Sequence, residues 1–178
     1  MHLSFTAAPA ALLGGWLLMR PIDGDFVPGF WWTAAHAAWL AAFALFGVML
    51  VELRRRGGHP ALVWAAMAGA AANAVQLGLD LGSWFPPGPG VVLLDLTAHL
   101  FYVALAALAI TMAAGRAVTP ISAGLVTVGV AVLELATLTV GGNSPLVAVG
   151  MSVLWLGSQL LIRDSAGQVA LPDATRRA

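Results

Sequence analysis

Leu53-Arg54-Arg55-Arg56-Gly57-Gly58-His59-Pro60 is the stretch on which the fold turns. Residues 31–51 before it carry no Arg, Asp or Glu, and residues 61–80 after it carry only Asp80, at the far end. Each flank is about 20 residues long, the length a helix needs to cross the hydrocarbon core of a bilayer. An Arg cluster set between two such flanks marks a membrane hairpin with its turn in the cytoplasm.

The same pattern continues outward along the chain. All eight basic residues are Arg and none is Lys, and seven of the eight fall at Arg54–Arg56, at Arg116, and at Arg163, Arg176 and Arg177. Apolar residues make up 60% of the chain and the mean hydropathy is +0.90, which excludes an ordinary soluble domain. Six apolar segments emerge, at about 3–19, 31–51, 61–80, 91–114, 120–140 and 145–162. Lipid cannot satisfy backbone amides, so spans are helices or a closed barrel. The apolar runs are continuous rather than alternating, which excludes the barrel. The sequence therefore predicts an all-α, polytopic membrane protein with one six-helix transmembrane domain, 1–162, and a polar cytoplasmic tail, 163–178.

The Arg clusters place both termini in the cytoplasm of a multi-pass cell-membrane protein. The opposite side carries Arg20 beside Asp23, Asp25 and Asp80, and Trp31, Trp32 and Trp84 are expected there as an interfacial belt. The first span lacks a basic leader region and reads as a retained helix. Absence of Cys excludes disulfides and thiolate chemistry. With zero net charge and no basic patch, nucleic acid is not an expected partner. The expected surroundings are the bilayer and a small lipophilic molecule.

Two hairpins share landmarks. Thr33-Ala34-Ala35-His36 opens one and Thr97-Ala98-His99 opens the other, and the spacing from Pro60 to Gly82 and from Pro120 to Gly142 is 22 residues in both. This suggests a parallel internal repeat of hairpins 2–3 and 4–5; the competing explanation is that Ala-rich membrane helices resemble one another by composition.

Residues at i, i+3, i+4 and i+7 share a helix face. On that spacing the third span aligns Asn73, Gln76 and Asp80, the fourth aligns Asp95, His99 and Tyr102, and the fifth aligns Thr127, Glu134 and Thr137. The second aligns Thr33, His36 and Trp39, and the sixth Ser152, Trp155 and Gln159. A charge at mid-membrane costs roughly 2.5–3.5 kcal/mol on insertion scales, so these faces are expected to turn inward. The first span offers only the small-residue stripe Ala7, Ala11 and Gly15, which suits close packing. It is expected at the rim, where a second copy or a partner subunit could dock.

A carboxyl and an imidazole taken out of water can both titrate near neutrality. The leading expectation is acid–base catalysis on a small lipophilic substrate, of the isomerase or cyclase kind. Glu134 is the acid and an Asp95–His99 pair the base, with His36, Trp39, Asn73, Gln76, Asp80, Tyr102 and Trp155 around the substrate. A small-molecule or proton-coupled transporter or binding subunit is the main alternative, since intramembrane carboxylates commonly mark proton pathways. A haem on His36 and His99 is a third, with a metal on His36, His99, Asp95 and Asp80 as its variant. A structural accessory subunit is the fourth. The bland explanations are that Asp80 is a solvated helix end and that Asp95 caps its helix. No dedicated metal spacing is present, so neither metal nor cofactor is required by the sequence.

Overall fold

The computed structural model describes residues 3–19, 29–82, 89–140 and 144–169. They form six helices, α1 Leu3–Leu18, α2 Phe30–Arg55, α3 Pro60–Leu81, α4 Pro89–Ala114, α5 Pro120–Val140 and α6 Pro145–Val169, and no strand among the described residues. Four of the helices begin on a proline, whose missing N–H costs nothing in a first turn and whose fixed φ suits it. The turn after α2 closes as the Arg-Gly-Gly run predicts. Gly57 takes φ 92° and Gly58 N–H donates to Leu53 O at 2.9 Å, satisfying a carbonyl that the helix end would leave open. The turn after α4 closes in the same way, with Arg116 at φ 58° and Ala117 N–H donating to Met112 O at 2.8 Å.

Four segments, Phe30–Arg55, Pro60–Leu81, Val92–Ala114 and Pro120–Thr139, are long and apolar enough to cross a membrane. The chain is thus an integral membrane protein in type. The apolar parts of the other two helices, Leu3–Leu18 and Pro145–Leu161, are shorter. α6 runs on to Val169, into the stretch read as tail. The remainder of that tail, together with Arg20, Asp23, Asp25, Trp84 and Gly142, lies outside the described residues.

Each helix packs on the next, and α6 packs back on α1, so the six form a closed ring. One end of the ring is filled. Phe46, Met49, Leu50, Leu53, Phe101, Leu105, Leu108, Leu154 and Leu161 are all at most 2% exposed. Phe101 lies 4.9 Å from Phe46 and 5.4 Å from Phe43, ring to ring. Glu52 belongs to this end and is neutralised there, with Arg56 Nε at 2.9 Å and Arg55 Nη1 at 3.7 Å.

α1 departs from expectation. Its inward face is Phe5, Ala8, Leu12, Gly15 and Trp16, all buried, while Ala7 and Ala11 are only partly covered. Gly15 is the member of the expected stripe that makes a close contact: a Cβ there would lie 2.4 Å from the Trp39 ring. That ring donates from Nε1 to Leu12 O at 3.0 Å. Large side chains at four-residue spacing make α1 a full wall of the ring rather than a helix at its rim.

Bare backbone contact recurs where helices meet. A Cβ on Gly69 would lie 2.2 Å from Phe101 N, and one on Gly129 2.5 Å from Leu154 N. Backbone cannot move aside as a flexible side chain can. Gly69→Ala is therefore expected to destabilise by about 1–3 kcal/mol, the usual range for overpacking. Gly124→Ala, with nothing within 4 Å, is expected to be neutral or stabilising by up to ~1 kcal/mol. Melting of the two variants in detergent checks this, and equal melting points would mean that α3 and α4 do not meet at Gly69.

Candidate functional site

The other end of the ring is hollow. A cavity of about 710 Å³ is lined by the C-terminal parts of α1, α3 and α5 and the N-terminal parts of α2, α4 and α6. This alternation follows from up-down connectivity. It brings residues far apart in sequence to one depth. α1, α2 and α6 supply an apolar and aromatic wall: Leu12, Trp16, Met19, Trp32, Trp39, Val147 and Met151. α3, α4 and α5 supply a polar wall: Asn73, Gln76, Asp80, Asp95, His99, Tyr102, Glu134 and Thr137. His36 stands on α2 facing Asp80, and Phe43 lies toward the filled end. A cavity of this size and mixed lining is of the kind that takes a small molecule.

Two histidine–carboxylate pairs stand in it. His99 Nδ1 lies 2.6 Å from Glu134 Oε2, linking α4 to α5. A contact this short between imidazole and carboxylate is a charge-assisted hydrogen bond, in which Nδ1–H donates and Nε2 is left over. The His99 and Glu134 side chains are 30% and 17% exposed, so the pair is sheltered yet reachable. The second pair is looser. His36 Nδ1 lies 2.8 Å from Trp32 O; a carbonyl only accepts, so Nδ1 carries the proton. His36 Nε2 is then directed at Asp80 Oδ2, 3.8 Å away, which exceeds hydrogen-bond length. The His36 ring lies 3.9 Å from the Trp32 ring and 5.3 Å from that of Trp39.

The pairing differs from the sequence expectation, in which His99 joins Asp95, four residues earlier on the same helix. His99 pairs instead with Glu134 of the neighbouring helix, while Asp95 is exposed on the cavity lining. An i, i+4 pair stays on the helix surface, whereas an interhelical partner lets both groups escape lipid. Asn73 is committed to structure, its Nδ2 donating to Gly69 O and Ala98 O, both at 2.9 Å, which pins α3 to α4. Its Oδ1 remains for the cavity. Gln76, Tyr102 and Trp39 line the cavity.

Trp155 does not. It lies beyond Met151 toward the filled end, its Nε1 buried without a partner among the described residues. Gln159 is deeper still, accepting from Thr6 Oγ1 at 3.1 Å. Trp32, expected in the interfacial belt, is 8% exposed and stacks on His36, while Trp31 beside it is 46% exposed. Trp32 and Met19 join the lining without having been expected there. The i, i+4 step from Trp32 to His36 is the signal that could have found Trp32. Among the described residues no three of His, Asp and Glu gather closely enough to hold a metal ion.

Comparison with known protein families, with curated proteins and with solved structures finds no match to this chain.

Proposed function

We propose that this protein is an acid–base enzyme of the cell membrane, acting on a small lipophilic molecule that enters the cavity. In this reading all six helices span, both ends are cytoplasmic, and the cavity lies in the outer half of the bilayer. The Arg distribution supports that orientation. The matching closures after α2 and α4 support a duplicated hairpin.

The observation that carries the reading is the His99–Glu134 pair, whose uncommitted Nε2 belongs to a residue lining the cavity. Nε2 takes a proton from carbon, and Glu134 stabilises the imidazolium that forms. The proton on Nε2 exchanges with water from the cavity, and Nε2 then delivers a solvent-derived proton to a second carbon of the substrate. One C–H bond breaks and one forms, with no change of oxidation level, so the reaction class is isomerisation. The aromatic wall holds the apolar body of the substrate, while Asp80 and His36 face its polar end.

The substrate need not be identified before the test. Purified protein in detergent is incubated in D₂O with a total lipid extract of its host membrane. High-resolution mass spectrometry then follows carbon-bound deuterium. One lipid species is expected to gain a mass unit with time; no species gaining mass would overturn the catalytic reading. Transport is the second reading, favoured by three carboxylates around one cavity. It leaves the molecule chemically unchanged and requires a sealed vesicle.

A further inference from the structure

We propose that the polar group recognised in this cavity is a protonated amine, held between His36 Nε2 and Asp80. This names the substrate class of the site described above and rests on that reading for the cavity being the substrate site.

The neighbours of His36 fix its hydrogen-bond roles. Its Nδ1 donates to Trp32 O at 2.8 Å, so in the neutral ring Nε2 carries only a lone pair. The group it faces, the Asp80 carboxylate, also only accepts, and the two atoms stand 3.8 Å apart. The His36 side chain is 7% exposed and lines the cavity, so a partner for Nε2 comes from the cavity. Two acceptors facing each other at this separation ask for a donor beside both. An ammonium supplies several N–H donors and a positive charge at once.

The surroundings agree in sign. The Trp32 and Trp39 rings lie against His36, and indole faces attract cations. Asp95 and Glu134 share the lining. No cation competes, because the chain has no Lys and no Arg lines the cavity among the described residues. A carboxylate or phosphate ligand would meet three like charges, and a hydrocarbon would leave both acceptors unmet. The apolar wall of Leu12, Trp16 and Val147 suits an alkyl or ring body attached to the amine.

The test uses dodecylamine, with dodecanol as its uncharged counterpart, each at the same mole fraction in maltoside micelles at pH 7. Dodecylamine is expected to raise the melting temperature of the protein by about 5 °C, as saturating ligands of ordinary affinity do, and dodecanol is not. In Asp80→Asn the rise should vanish. Equal effects of amine and alcohol, no rise with the amine, or a full rise that survives in a folded Asp80→Asn would each overturn the proposal. If Asp80→Asn does not fold, the contrast between the two probes on the parent protein decides alone. The two readings separate cleanly. Amine binding without deuterium uptake sinks catalysis and leaves this inference, and deuterium entering a neutral lipid that displaces no amine does the reverse.

Discussion

Glu134→Gln is expected to lower deuterium incorporation at least 10³-fold while the protein still folds. Gln is nearly the same size and its amide oxygen can still accept from His99 Nδ1–H, so the 2.6 Å contact is kept or only slightly lengthened. What is lost is the negative charge that stabilises an imidazolium. The amide can also turn to donate, which favours the wrong tautomer of His99. A carboxylate-to-amide change of this kind costs about 10⁴-fold in the serine-protease triad. Asp95→Asn is the informative companion. Asp95 is exposed and makes no hydrogen bond to His99 among the described residues, so its loss is expected to change the rate by no more than a few-fold. Measuring both rates by mass spectrometry, with melting curves as the check on folding, separates the interhelical pair from the intrahelical one. Full activity in a folded Glu134→Gln would make Glu134 structural.

The second large effect is one of sidedness. The chain contains no Cys, so single cysteines report without background. Gly115 and Gly82 are exposed, at the ends of α4 and α3, on opposite ends of the ring. A membrane-impermeant maleimide added to intact cells is expected to label Gly82→Cys to near completion and Gly115→Cys hardly at all, with the contrast abolished when the membrane is permeabilised. The physical cause is the set of Arg residues beside Gly115 and around the end of α2, which resist translocation. The opposite labelling pattern would invert the protein and place the cavity on the cytoplasmic side. Equal labelling of both would mean that α4 does not cross.

Much of the architecture was legible because membrane physics leaves few options. Continuous apolar runs can only be helices, and Pro60, Pro120 and Pro145, each at the head of a helix, mark starts to the residue. The cavity lining was legible for a related reason: Asn73, Gln76 and Asp80, or His99 and Tyr102, cannot face lipid cheaply, so helical spacing and cost together aim them inward. Which polar group meets which was not legible. Asp95 and His99 lie four apart and look paired on one helix, whereas the partner of His99 depends on how α5 is rotated, and single-helix spacing does not carry that information. Trp32 failed for a different cause. Trp31 and Trp32 are neighbours at a helix start, one 46% and the other 8% exposed, and only the second is in phase with His36. α1 misled because its Ala and Gly residues resemble a packing stripe, while Phe5, Leu12 and Trp16 occupy the adjacent stripe that turns inward.

The tilted and edge-on rings of Phe43, Phe46 and Phe101, with the leucines beyond them, close the ring at one end. This apolar plug separates the cavity, with His36, Asp80, His99 and Glu134 in its lining, from the far end of the ring. Moving one charge across a full membrane is worth about 2.3 kcal/mol per 100 mV. A cation settling in the cavity stops above the plug and crosses only the fraction of that voltage lying between the mouth and the plug. Collapse of the membrane potential should therefore leave occupancy of the site nearly unchanged.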